Sequence, residues 1–320
     1  MVGEFALLAA IRDRLDGDGP GLPLGVDDDA AVLDVPGRVV LAVDALVDDV
    51  HVDRSISSLA DLGWKAIAVN VSDLAAVGAL PLAALVTLLR PSWFDVDHAR
   101  ELYDGMREAA QRWDCRLVGG DTVSCPTLSV SIAVAGRLVD DAVVLRRDGA
   151  RPGDLVAVVG ALGLAAAGLE LHQGGHADLL SAHPELSAAH RRPVALVEAA
   201  EPLVASGVTA CIDVSDGLGR DLGHVARASG VAVHLDAERL PIPPGVAAAA
   251  ARLGRDPLEL AVGGGDDYAL AVTVPPDRLE DLAAALAAVG LSARVLGEVA
   301  PGTGVTVDGR DVATAGWEHH

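Results

Sequence analysis

The pentapeptide Ala150-Arg151-Pro152-Gly153-Asp154 limits what this chain can fold into more than any other segment. Proline followed by glycine between two strand-like stretches forces the backbone to turn, and it marks a domain boundary. Upstream, the hydrophobic pattern predicts strand 38–47, helix 59–77 stopped by Gly78 and Pro81, strand 82–89, helix 95–113, and strands at 116–118 and 128–139. A short amphipathic helix over 4–15 and a loop rich in glycine and proline over 16–25 precede them. Downstream, it predicts strand 155–159, helices within 163–207, strands 208–214 and 231–235, and an alanine-rich helix. Strand 269–274, helix 277–289 and short terminal strands follow. This alternation predicts an α/β fold in two domains, residues 1–149 and 150–320.

Charge narrows the partners. Acidic residues outnumber basic ones 46 to 24, and a net charge of −22 repels duplex nucleic acid and anionic membrane surfaces alike. An aromatic content of 2% leaves no base-stacking platform. The longest apolar stretches, Leu74–Leu89 and Leu155–Leu169, are shorter than a bilayer span, and Gly78 and Pro81 interrupt the first. Cys115, Cys125 and Cys211 form neither a CxxC motif nor a paired framework, and no export signal is visible. The expectation is a cytoplasmic protein that binds neither nucleic acid nor membrane.

Common catalytic devices are missing as well. Lys65 lies in Gly63-Trp64-Lys65-Ala66 and not in a P-loop, and no GxGxxG follows a strand. Protein-kinase signatures and HExxH are absent. His172 and His176 have helical ligand spacing, but Gly174-Gly175 separates them and no third zinc ligand is evident.

The aspartates carry the chemical signal. Asp27-Asp28-Asp29 follows the glycine-rich loop, Asp44 sits in an apolar strand, and Asp73 lies on an apolar helix with Asn70 on the same face. Asp121 follows two glycines, Asp213 and Asp216 flank Ser215, and Asp266-Asp267 follows Gly263-Gly264-Gly265. A carboxylate on an apolar element is costly to bury unpaired. Lys65 is the only lysine, so the compensating cations are arginines or bound metal. Oxygen donors select Mg²⁺ or Ca²⁺, no EF-hand loop is present, and glycine turns let backbone N–H groups approach phosphate. Together these features point to a nucleotide-phosphate site held by metal. Each Asp after Gly at a strand end also suits a turn or a helix N-cap. His51 alone also suits a surface or structural role, and Trp317 suits a packing residue that ties down the tail.

Seven segments in order resemble the motifs of the thiamine-monophosphate kinases. They are Gly25-Val26-Asp27-Asp28-Asp29-Ala30-Ala31, Asp44-Ala45-Leu46-Val47 with Val50-His51, and Trp64-Lys65-Ala66 running on to Val69-Asn70-Val71-Ser72-Asp73-Leu74-Ala75-Ala76-Val77-Gly78-Ala79. Gly119-Gly120-Asp121-Thr122, Ile212-Asp213-Val214-Ser215-Asp216-Gly217-Leu218, Gly264-Gly265-Asp266-Asp267-Tyr268 and Gly316-Trp317-Glu318-His319 complete the set, which spans essentially the whole chain. The resemblance implies the fold shared with aminoimidazole-ribonucleotide synthase and selenophosphate synthetase: two α/β domains, dimerised through strands of the N-terminal one. It implies ATP-dependent phosphorylation of thiamine monophosphate to thiamine diphosphate with several Mg²⁺ ions. Carried across, Asp28, Asp44, Asp73, Asp121 and Asp213 are metal ligands and Asp216 is a further metal contact. Gly120, Asp121, Arg147 and Ser215 would contact ATP; His51, Asp266 and Trp317 would contact thiamine phosphate. The chain departs from the pattern at Asp27, where a glycine is usual, and at Ala42 and Val43, where hydroxyl residues are common. It departs again at Asp48-Asp49, Val52, Asp266 in place of Glu, and His320 in place of Phe.

The implied reaction needs no general base, because a phosphate monoester with a second pKa of about 6 is mostly dianionic at pH 7. Its difficulty is electrostatic, and Mg²⁺ held by aspartates would offset it. Two other functions are compatible with these motifs: a non-catalytic nucleotide or divalent-cation binding homologue, and another phosphoryl-transfer or amide-activating member of the superfamily. A selenophosphate synthetase would need a reactive cysteine near its N-terminus, and the first cysteine here is Cys115.

Overall fold

The computed structural model describes residues 10–17, 19–22, 30–31 and 33–317. Asp28 and the first half of the predicted helix 4–15 lie outside them; of that helix, Ala10 and Ile11 are helical and Arg12–Arg14 forms a 3-10 turn. The chain divides into two compact units, residues 1–74 with 79–141, and residues 75–78 with 142–320.

The first unit runs β1 (Val39–Val47), α1 (Leu59–Ala76), β2 (Ala79–Arg90), α2 (Val96–Arg112), β3 (Arg116–Ser124) and β4 (Ser129–Leu138). A capping box starts α1: the Ser58 hydroxyl accepts from the Asp61 N–H, and the Asp61 carboxylate accepts from the Ser58 N–H, both at 3.1 Å. Asp95 starts α2 by accepting from the N–H groups of Asp97 and His98. The strands form one sheet in the order β1-β4-β2-β3, with only β2 and β3 parallel. Val130, Ile132 and Val134 of β4 are buried with Val86 and Leu88 of β2 on one face. Leu74 of α1 lies against Gly136 in that row and places the helix over the same face. β2 begins at Ala79, three residues before the predicted start. Pro81 is absorbed at a register shift between Pro81 and Ala83, where the missing N–H does no harm.

The second unit runs β5 (Leu155–Val159), α3 (Leu164–Gln173), α4 (Ala177–Ala182), α5 (Pro184–Arg191), α6 (Ala200–Ala205), β6 (Ala210–Val214) and α7 (Leu218–Ser229). It continues with β7 (Ala232–Leu235), α8 (Pro244–Leu253), α9 (Pro257–Gly263), β8 (Ala269–Val274), α10 (Leu279–Ala288), β9 (Ala293–Ala300), β10 (Gly304–Val307) and β11 (Arg310–Asp311). Its seven strands order as β11-β10-β7-β9-β5-β8-β6. Leu218, Leu222 and Val225 of α7 share a core with Ile212, Val214, Val233 and Leu296. Each such side chain, fully buried, contributes roughly 1.5–3 kcal/mol. At the pentapeptide, the buried Asp154 carboxylate accepts from the Arg151 N–H at 2.9 Å and the Thr209 hydroxyl at 2.7 Å. That pair of bonds holds the turn closed where β5 begins.

Candidate functional site

β6 passes into α7 through the turn Ser215-Asp216-Gly217, and this turn organises the second unit's site. Its three N–H groups converge on one oxygen, Oδ2 of Asp221 in the first turn of α7, each at 3.1 Å. The carbonyls of Ser215 and Asp216 face other segments. Ser215 O accepts from the Asp266 N–H at 2.8 Å, and Asp216 O accepts from the Trp317 N–H at 2.9 Å. Gly217 O accepts from the Asp221 N–H at 2.9 Å, which starts the helix. Ser215, Asp216, Asp266 and Trp317, which the sequence assigned to ATP, to metal and to thiamine phosphate, therefore meet at one turn.

The electrostatics there are strained. Asp221 is buried, and its carboxyl is pushed up to about 7, first by that burial and then by the negative charges of Asp213 and Asp216. The backbone N–H groups pull in the opposite direction. His224, one turn further along α7, is held below its usual range by burial and by the charges of Arg147 and Arg227. Single ligand atoms of Asp216, Asp221 and His224 lie within 4.8 Å of one another. A divalent cation would offset both causes, the burial first and the neighbouring charges second, and the oxygen donors suit a hard ion. Asp221 and His224 were missed from the sequence. Their signal is the spacing of a carboxylate and an imidazole one helical turn apart, just after a glycine turn.

The loop after α9 supplies the other wall. Asp266 and Tyr268 adopt left-handed backbone, φ 66° and 50°, a conformation that costs a non-glycine residue about 1–3 kcal/mol. Backbone bonds to β6 and the turn hold it: Tyr268 N–H donates to Val214 O at 2.8 Å, beside the Asp266 bond already described. The Tyr268 hydroxyl donates to Asp266 Oδ1 at 3.0 Å, and the Nδ1 of buried His190 lies 3.9 Å from Oδ2. Asp267 turns the other way. It accepts from the Gly163 N–H at 2.7 Å at the start of α3, and burial raises its carboxyl well above the ordinary range. Asp267 is thus a remote cap for α3, while Asp266 faces the site. Gly316 has φ 148°, and a Cβ there would lie 2.5 Å from Asp216 O, so only glycine lets the tail reach the turn. The Trp317 side chain is 53% exposed beyond it.

In the first unit the predicted residues do not all share a face. Asp44 pairs with Ile132 and lies on the α1 side of the sheet; its N–H donates to the buried Asn70 side chain at 2.9 Å. Asn70 in turn donates to Ala66 O at 2.9 Å, so it is a strut between α1 and β1. Asp44 itself is exposed, contrary to the burial expected from its apolar strand, although Leu46 two residues along the same edge strand is buried. Asp73, on α1, is half-buried. Asp121 belongs to the next row, Ala45–Ser131–Thr87–Asp121, and so points to the opposite face. Three strand spacings also separate it from β1, about 14 Å at roughly 4.8 Å each. Gly120 lies against β2, where a Cβ would come within 1.8 Å of Val86 O. His51 Nδ1 accepts from the Val47 N–H at 3.1 Å, which leaves the ring proton on Nε2.

Comparison with known proteins fixes the family. Residues 27–138 match the AIR synthase related protein N-terminal domain, and residues 151–310 match its C-terminal domain. A thiamine-monophosphate kinase of Mycobacterium tuberculosis is 38% identical over 322 residues, covering 99% of this chain and 91% of that protein. This chain belongs to the thiamine-monophosphate kinase family. The crystal structure of the thiamine-monophosphate kinase from Stenotrophomonas maltophilia superposes with a TM-score of 0.85 at 38% identity, covering 97% of this chain and 98% of that one. The structure of AaThiL complexed with AMPPCP and TMP superposes with a TM-score of 0.79 at 33% identity over 99% and 97% of the two chains. The chain thus has the two-domain α/β fold of these kinases. Membership gives the turn at 215–217 its context: it lies within one of the segments by which the sequence resembles the family.

Proposed function

We propose that this chain transfers the γ-phosphoryl group of ATP to thiamine monophosphate, giving thiamine diphosphate and ADP by in-line displacement. The observation that carries this reading is the turn Ser215-Asp216-Gly217, which joins residues expected at the nucleotide to residues expected at thiamine phosphate. Mg²⁺ would be held by Asp28, Asp44, Asp73, Asp121, Asp213 and Asp216, and it would neutralise the charge that keeps two phosphates apart. The rest falls to the chain's own groups. Gly120 and Ser215 would approach phosphate oxygens, and the exposed Arg147 guanidinium would take them two at a time. His51, with its proton on Nε2, would donate to the acceptor's phosphate. The Asp266 carboxylate, steadied by Tyr268, would face the cationic thiazolium, and the Trp317 ring would stack on an aromatic ring.

A homodimer is part of this proposal. Val39, Leu41 and Val43 stand 50%, 77% and 64% exposed along the edge strand β1. Leu41 and Val43 also line a cavity of about 1100 Å³ within the first unit, together with Leu85 and Ala133. An apolar edge strand in an otherwise acidic chain suits pairing with a second copy. Such pairing would also let Asp44 of one copy and Asp121 of another serve one site, which a single sheet keeps on opposite faces.

The test is mass spectrometry of the products from purified protein with ATP, Mg²⁺ and thiamine monophosphate, beside a reaction in EDTA. Metal-dependent thiamine diphosphate, one per ADP, is expected. Folded protein that binds ATP and forms no diphosphate would overturn the reading.

A further inference from the structure

We infer that Asp221 is a positioning residue that holds the nucleotide side and the thiamine-phosphate side of the site in one register, an inference that rests on the reading above. Three successive N–H groups aimed at one point form an anion nest, which in many proteins receives a phosphate. Here the nest is filled from within the chain. Ser215, Asp216 and Gly217 all donate to Asp221 Oδ2 at 3.1 Å, and the residue is 3% exposed. A single oxygen that accepts three bonds fixes all three peptide planes, and with them the directions of the carbonyls on the other side.

Those carbonyls are the mounting points for the rest of the site. Ser215 O takes the Asp266 N–H and Asp216 O takes the Trp317 N–H, while the side chains of Ser215 and Asp216 leave from the same turn. The Arg220 N–H donates to Ala315 O at 3.1 Å, so the tail follows α7 as well as the turn. Rotation of one peptide in the turn would therefore displace a nucleotide group and a thiamine-phosphate group together. An acid that served α7 alone, as an ordinary cap, would not have that effect. Asp221 need touch neither substrate to do this.

The experiment compares the full chain with Asp221→Ala, which removes the acceptor, and Asp221→Asn, which keeps an oxygen in the same place. The apparent KM values for ATP and for thiamine monophosphate are measured separately, and amide exchange is followed in the peptides that contain Asp266 and Trp317. Asp221→Ala is expected to raise both KM values at least tenfold and to speed exchange at both amides. Asp221→Asn is expected to recover most of both losses. Loss of folded protein alone would lower kcat and leave both KM values in place. The inference is overturned if folded Asp221→Ala shifts neither KM, or only one, or if Asp221→Asn is as impaired as Asp221→Ala. Should Asp221→Ala not fold, Asp221→Glu takes its place. It displaces the acceptor by one methylene and is expected to raise both KM values together; a change in one alone refutes the coupling. A parent protein that makes no thiamine diphosphate would instead refute the proposed function, while the exchange comparison still reads the coupling.

Discussion

Asp221 also makes a prediction about stability that needs no substrate. Its carboxyl is near 7 in the folded chain, against 3.8 for an ordinary aspartate. Between those values the folded state holds a proton that the unfolded state has lost, so stability falls as pH rises. The group's contribution is complete below pH 3.8 and gone once pH passes about 7. At about 1.36 kcal/mol per pH unit the whole span is on the order of 4 kcal/mol, and the part lying between pH 5.5 and 8 is about 2 kcal/mol. Asp221→Asn keeps the oxygen acceptor and removes the titration. Urea melts of both proteins in EDTA at the two pH values isolate the effect, because other titrating groups cancel in the comparison. The parent should lose about 2 kcal/mol more than the variant on going from pH 5.5 to pH 8, or about 4–8 °C in melting temperature for a unit of this size. If both proteins change in parallel, within about 0.5 kcal/mol, burial and the neighbouring aspartates do not raise this carboxyl, and the electrostatic account of the turn is wrong.

Three further outcomes are expected. Gly316→Ala should push the tail off Asp216 O, since its Cβ would lie 2.5 Å away; the KM for thiamine monophosphate should rise more than tenfold while the melting temperature falls by only a few degrees. A double variant, Leu41→Glu with Val43→Glu, should sediment as a monomer where the parent sediments as a dimer, and a dimeric variant would remove β1 from the interface. Burial pushes Cys115 up to about 12 and raises Cys211 as well, so thiol reagents at pH 8 should modify Cys125 alone until denaturant is added. Rapid labelling of all three in the folded protein would contradict that burial.

Much of the fold was legible along the chain. Element order in both units follows hydrophobic periodicity and turn residues, which act over a few positions; strand 155–159 and strand 269–274 coincide with the prediction to the residue. Pro81 misled because its local meaning is a stop, whereas a register shift against β4 accommodates it. Asp44 misled for a related reason: an apolar strand implies burial only where another layer covers its face, and on this strand Leu46 is buried while Asp44, two residues away on the same face, is exposed. Asp266 and Asp267 are adjacent and alike in sequence, yet one faces the site and the other caps α3, since left-handed backbone at 266 separates their directions.

Sequence alone therefore determined the α/β alternation and the segments that mark the family, both of which depend on residue type and short-range spacing. Tertiary structure decided which face each aspartate occupies, that Asp121 and Asp44 lie on opposite sides of one sheet, and that Asp221 gathers the turn at 215–217. The reason is geometric. Asp266 and Trp317 meet Ser215 and Asp216 only because the strands and loops that carry them, dozens of residues apart, are brought together by the order of a sheet that no local pattern encodes.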